Sequence, residues 1–234
     1  MVTGHLLGYD LTMVSSFASS GKAAPALDPA TTAVVAVECQ RGVLGDQSML
    51  PDLARDTRDV LPAIARLLDA ARAAGVTVAH ATFEGPLGAV SRGTAPLWRA
   101  LTGATDDWAA GHPGTEVLPE LLAEGDLVLP RHHGLSPTWK TELLPVLRNR
   151  GIRTLVLAGV SLNVALLLTA AEAEAEGFSV VVPRDAVAGT PREYGEMVLG
   201  NTMSMLARIT TVAALEEGWA SVADGRSTAA GVTR

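Results

Sequence analysis

Residues 154–165 read Thr-Leu-Val-Leu-Ala-Gly-Val-Ser-Leu-Asn-Val-Ala. Five residues suited to a strand buried on both faces run into a glycine turn, and a helix-forming segment follows. A strand that is apolar throughout, rather than at alternate positions, belongs to a parallel sheet covered on both sides. A parallel sheet in turn requires crossover connections, which are usually helices. The junction also directs backbone N–H groups and a helix N-terminus at whatever lies beyond the strand end.

The rest of the chain repeats the pattern. Apolar runs at 33–37, 76–81, 127–129, 180–182 and 209–212 predict further strands. Val60, Ile64, Leu67, Leu68 and Ala71 have helical spacing, which predicts one helix over 52–74 with Gly75 as its stop. Helices are also expected over 138–150, from Ser161 to a stop at Gly177, and over 191–206 with Pro191 in the first turn. Such alternation predicts a three-layer α/β/α Rossmann-like fold with a six-stranded, mainly parallel sheet. Residues 1–30 lack periodicity and read as an N-terminal extension; 31–212 form the domain and 213–234 a C-terminal tail. The Gly- and Pro-rich stretch 83–114 holds Trp98 and Trp108, and reads as a long functional loop with one short helix.

Composition narrows the function classes. A net charge of −7 with no basic run excludes nucleic acid and anionic membrane as expected partners. The single Cys39 rules out an internal disulfide and a multi-cysteine metal site. It fits a reducing compartment, so a cytoplasmic protein is expected. No apolar stretch is long enough to span a bilayer. The absence of a Gly-x-Gly-x-x-Gly or phosphate-loop pattern disfavours a nucleotide cofactor, and no metal-ligand constellation is present. The expected partner is a small molecule, with no cofactor and no metal.

Ligands of parallel α/β sheets bind beyond the carboxyl ends of the strands. Glu38 directly follows the first apolar run, where a carboxylate is placed for general acid–base work, or is simply a solvated strand end. Cys39 is expected to face away from Glu38 as a structural thiol, because strand side chains alternate. Arg131 can grip a substrate carboxylate in two-pronged fashion or pair with an acidic neighbour. His132 and His133 can relay protons or serve as ordinary loop histidines. Ser161 sits in a Gly-Val-Ser-Leu-Asn sequence that only superficially matches a Gly-x-Ser-x-Gly elbow, since no histidine follows His133. It reads as a helix N-cap.

The 154–165 junction, Glu38-Cys39-Gln40, the 129–138 segment and Val182-Pro183-Arg184-Asp185-Ala186 together resemble the isochorismatase-like cysteine hydrolases. This superfamily holds the nicotinamidases, N-carbamoylsarcosine amidases and isochorismatases. The resemblance covers roughly 31–212. It implies an Asp-Lys-Cys triad, whose positions here read Glu38, Leu129 and Ala165, and a leucine can neither depress a thiol pKa nor bind substrate as the lysine does. It also implies a non-prolyl cis peptide before Val160, and an oxyanion hole from the Val160 and Ala165 N–H groups. Gln40, Arg131, Val160 and Asn163 are then the candidates for substrate contact, and Glu38, His132 and His133 those for catalysis. Isochorismatases lack the cysteine too and protonate a vinyl ether from the Asp, but keep their lysine. Two readings follow. One is a repurposed, non-covalent hydrolase or lyase-type enzyme on a small, anionic metabolite, with Glu38 as general acid/base. The other is an inactive pseudo-hydrolase that serves as a binding scaffold. The resemblance also implies a homodimer or homotetramer.

Overall fold

The structure, a computed structural model, describes residues 27–88, 92–101 and 103–230, with side chains described through 222. Most of the N-terminal extension lies outside the described residues.

Seven strands form one sheet among the described residues: β1 (Thr32–Val37), β2 (Thr77–Phe83), β3 (Leu127–Arg131), β4 (Thr154–Val160), β5 (Ser179–Pro183), the two-residue β6 (Val187–Ala188) and β7 (Arg208–Thr210). Every pair of these strands is parallel. The order is β3-β2-β1-β4-β5-β7, with β6 paired to β4. The sequence-predicted strands are all present, and β6 is an addition too short for a periodic signal. The chain therefore winds outward in one direction from β1 and in the other from β4. The crevice beyond their carboxyl ends is the topological switch point, where this architecture holds its ligands.

Strand periodicity divides the core. Val34 and Ala36 face one apolar layer with Ile64, Leu67 and Leu68, while Ala33, Val35 and Val37 face another with Leu147, Leu166 and Ala170. Both faces of β1 are thus dry, which is why no polar residue interrupts it.

Several helices differ from expectation for local reasons. The helix predicted over 52–74 is split into α1 (Pro51–Thr57), a 3-10 turn (Arg58–Val60) and α2 (Leu61–Ala73). Pro62 lies in the first turn of α2, where its missing N–H is tolerated, but its ring would clash with the carbonyl of residue 58 in a continuous helix. The long loop carries α3 (Pro96–Leu101), which buries Trp98. The helix predicted from Thr138 begins only at α4 (Leu143–Asn149). The hydroxyls of Ser136 and Thr138 are instead drawn to Glu172 at 2.8 and 2.5 Å, and Ser136 Oγ accepts the N–H groups of Thr138 and Trp139. These local bonds compete with helix formation.

After β4 comes α5 (Ala165–Ala175), with Val164 and not Ser161 at its N-cap, three residues later than predicted. The expected stop at Gly177 is in place, in left-handed conformation at φ +85°. The 191–206 helix is α6 (Arg192–Val198), a π turn (Leu199–Met203) and α7 (Ser204–Leu206). The segment read as a tail starts as helix α8 (Val212–Ala230), and Leu215 and Trp219 are buried against the α2 layer. It completes one face of the sheet. Among the described residues no helix is long and apolar enough to cross a membrane.

Candidate active site

β1 ends at Val37, and Glu38 adopts a left-handed conformation at φ +53°. Such a φ is uncommon for a residue with a side chain and tends to occur at functional positions. The Glu38 N–H still bonds the Ala81 carbonyl at 2.9 Å, so the kink sits hard against β2. It turns the carboxylate into a cavity at the switch point, while Cys39 is buried in the core on the α2 side. Burial pushes the Cys39 thiol up to about 12, and the neighbouring Glu38 carboxylate adds to this.

Facing Glu38 is Arg131, the last residue of β3. Its Nη2 donates to Glu38 Oε1 at 2.5 Å, and its Nε donates to the Gly134 carbonyl at 3.2 Å. The guanidinium lies 5.2 Å from the Phe83 ring centroid, within cation–π range. The arginine side chain is 3% exposed and the glutamate 14%. Nη1 is buried and, among the described residues, has no hydrogen-bond partner. A buried guanidinium with one idle donor is costly unless a ligand oxygen fills it.

The remaining walls are mostly apolar: Phe83, Trp98 and Trp108 from the long loop and its flank, with Leu53, Val164 and Ala165 opposite. Phe83 and Trp98 pack with ring centroids 4.9 Å apart. Ala165 opens α5, so its N–H has no intrahelical acceptor. The position that holds a nucleophile in the family resembled is thus a methyl group on the cavity wall, backed by a helix N-terminus.

The other sequence candidates lie elsewhere. Leu129 is two residues back along β3, about 6.6 Å below Arg131 on the same face of the strand. It packs against the apolar layer on the α5 side. The strand continues one pleat period beyond its predicted end, and that extra period delivers Arg131 to Glu38. Neither His132 nor His133 lines the cavity. His132 Nδ1 is 3.1 Å from the Gly85 carbonyl, and His133 packs edge-on to Trp139 at 5.7 Å. With the guanidinium already at the carboxylate, no gap remains for a histidine to fill.

Gln40 is fully buried, and its amide is committed to the scaffold. Nε2 donates to the Phe83 and Thr115 carbonyls, both at 2.8 Å, and Oε1 accepts from Phe83 N–H at 2.6 Å. It ties the end of β2 to the long loop and offers substrate nothing. Val160 is wholly buried at the end of β4. Asn163 Nδ2 donates to the Thr190 carbonyl at 2.5 Å, and its Oδ1 is closed to solvent. The non-prolyl cis peptide is Val160–Ser161, one residue later than the resemblance implied. Ser161, by contrast, lines the cavity. Strand length was the signal that could have promoted Arg131, whereas Ser161 had none.

His80, at the middle of β2, belongs to a separate cluster. Its Nε2 is 3.1 Å from Asp126 Oδ2, which Arg72 also holds at 2.7 Å, and burial keeps the imidazole below its ordinary pKa. Among the described residues no group of three His, Cys, Asp or Glu side chains could hold a metal ion.

The Glu38–Arg131 pair makes a stability prediction. Arg131→Met leaves a largely buried carboxylate without its partner and should destabilise the fold by about 3 kcal/mol. Adding Glu38→Gln should recover a substantial part of that, because the orphan charge is gone. Chemical denaturation of both single variants and the double variant measures the coupling, and strict additivity would mean that the pair is solvated rather than interdependent.

Comparison with known proteins agrees with the fold. A family model described as the Isochorismatase domain matches residues 32–214. The ureidoacrylate amidohydrolase RutB of Methylobacterium radiotolerans is 30% identical over 210 residues, covering 82% of this chain and 80% of that protein. Among solved structures, a cysteine hydrolase from Pseudomonas syringae pv. phaseolicola superposes with a TM-score of 0.73 at 24% identity, over 87% of this chain and 99% of that one. An isochorismatase family protein from Desulfovibrio vulgaris gives 0.68 at 26% identity, over 81% and 98%.

Proposed function

The chain belongs to the isochorismatase family of hydrolases, and from that premise we propose that it hydrolyses a small, mainly apolar substrate without a covalent protein intermediate. The observation that carries this reading is the Glu38–Arg131 pair on the floor of an apolar cavity whose nucleophile position is Ala165. An electrophilic carbon bearing an oxygen docks with that oxygen at Arg131 Nη1, the idle donor. The Ala165 N–H, at the positive end of α5, is a second donor of the same polarity.

Glu38 then moves the proton. Its carboxylate takes a proton from an incoming water as the water oxygen bonds to the substrate carbon. It returns that proton to the leaving group as the second bond breaks. The aromatic walls limit bulk water, which strengthens both the donor contacts and the proton transfer. An elimination needs the same base and the same oxygen anchor, so lyase-type chemistry draws on the same pair.

The test is a panel of small esters, amides, ureas and vinyl ethers incubated with the protein in heavy-oxygen water. One component should acquire label in its product while the intact protein mass stays unmodified. Glu38→Gln should slow that turnover by about 10²-fold or more. Wild-type turnover in Glu38→Gln would sink the reading. A ligand that binds the wild type tightly and is never consumed would instead make the pocket a recognition site in a pseudo-hydrolase.

A further inference from the structure

A second cavity adjoins the first at the edge of the switch point. The two share Met49, Leu50, Leu53, Leu97, Ser161 and Val164, so these six side chains form the boundary, a constriction, between two adjoining chambers. The outer part is floored by Asn163 and Thr190, whose polar atoms are bonded or closed to solvent. Asn163 Nδ2 bonds the Thr190 carbonyl, Thr190 Oγ1 donates to Asp56 Oδ2 at 2.6 Å, and Asn163 Oδ1 is turned against Gly189. Asp52 stands at the solvent rim with its side chain 75% exposed and paired to Arg55. Between the rim and the constriction the side chain polar groups are satisfied or closed off, except at Ser161, whose hydroxyl has no partner among the described residues. Met49 and Leu97, each 37% exposed, leave apolar surface open on the walls of this passage. Large apolar side chains lining a concavity mark a place where something apolar belongs.

We infer that the outer chamber receives an unbranched, uncharged apolar tail of the substrate, and that Ser161 at the constriction is a specificity-determining residue for tail length. The inference rests on Glu38 and Arg131 forming the head-group site. The tail leaves that site past Val164 and Ser161, covers Met49 and Leu97, and ends beside Asp52, whose pairing with Arg55 leaves no free cation there, among the described residues, to hold a charged terminus. Serine keeps the constriction open because it is small, and its free hydroxyl faces the passing chain or its water.

The experiment uses straight-chain primary carboxamides, from acetamide to octanamide, as ligands of the full chain. Binding is read from the fluorescence of Trp98 and Trp108, which line the inner chamber. In the wild type, affinity should rise about fourfold per added methylene along the series, as expected for transfer of each group from water to an apolar wall. In Ser161→Leu the short members should bind as before, and the rise should stop once the chain reaches the constriction. Leu97→Ala, which removes apolar wall instead of narrowing the passage, should shallow the rise for the longer members, and stands in if Ser161→Leu fails to fold. A wild-type series that levels off at the shortest members would overturn the inference, as would an unchanged slope in either variant. Arg131→Met separates the two proposals. It should weaken every member by the same factor and leave the slope intact, so a lost head-group effect speaks against the proposed function and a lost slope against the second chamber.

Discussion

Gly159→Ala should be among the most damaging single methyl groups that can be added to this protein. Gly159 lies in β4, next to β1 across the switch point, with φ +100°, a region that side-chain-bearing residues rarely enter. A Cβ there would stand 2.3 Å from the Val37 carbonyl oxygen, 2.9 Å from Cys39 Sγ and 3.0 Å from Val37 N. Two of these three atoms are backbone of a central strand buried on both faces, so they cannot swing aside as a surface side chain would. Overpacking contributes about 1–3 kcal/mol and the forced φ about 1–3 more, giving a loss of about 4 kcal/mol. That is a large share of the roughly 5–15 kcal/mol available to a domain. Gly75→Ala is the control. It carries a similar sign of φ, +76°, with nothing within 4 Å of the added carbon, so it should show the strain alone. Denaturant midpoints for the two variants measure the difference. Equal midpoints would mean that β1 and β4 have slack at the site, and the close packing that places Glu38 would have to be abandoned.

The sheet was legible because its signal is local and redundant. A run such as Ala33-Val34-Val35-Ala36-Val37 is apolar on both faces, and that can be read without knowing its neighbours. Helix boundaries were less so, since hydrophobic spacing is blind to Pro62, and to hydroxyls such as Ser136 and Thr138 that find a better acceptor in Glu172, far away in sequence. The site suffered most. Glu38 and Arg131 are 93 positions apart, and their meeting depends on the strand order β3-β2-β1, on a left-handed turn at Glu38 and on two further residues of β3. None of these has a compositional signature. Residue type alone also misled. A glutamine and two histidines look like chemistry, yet the Gln40 amide is consumed by backbone partners and the imidazoles are held by Gly85 and Trp139. A buried polar side chain must be satisfied by something, and in a long-looped domain the nearest takers are exposed carbonyls rather than substrate.

Restoring a thiol where the family resembled has one should convert an unreactive protein into a reactive one. The wild type has a single cysteine, Cys39, 2% exposed and pushed up to about 12, so at neutral pH almost none of it is thiolate and little of that meets solvent. Native protein should therefore resist iodoacetamide for as long as it stays folded. Ala165→Cys places sulfur on the first residue of α5, on the wall of the cavity. The helix N-terminus favours the thiolate there, and the Arg131 guanidinium lines the same cavity. The substitution adds one sulfur atom at a buried position that lines the cavity. The introduced thiolate attacks the methylene carbon of iodoacetamide and iodide leaves. The variant should take up one equivalent under native conditions, at least ~10³-fold faster than Cys39 reacts, because its thiolate fraction is greater and it lines the cavity, which Cys39 does not. Peptide mass mapping locates the adduct. Adding Arg131→Met should slow the reaction without abolishing it, since the helix N-terminus remains. An introduced thiol no more reactive than Cys39 would mean that position 165 is sealed from the cavity. The α5 N-terminus could then not serve as an anion-stabilising wall of the site, and Arg131 would be left as the only donor facing the substrate oxygen.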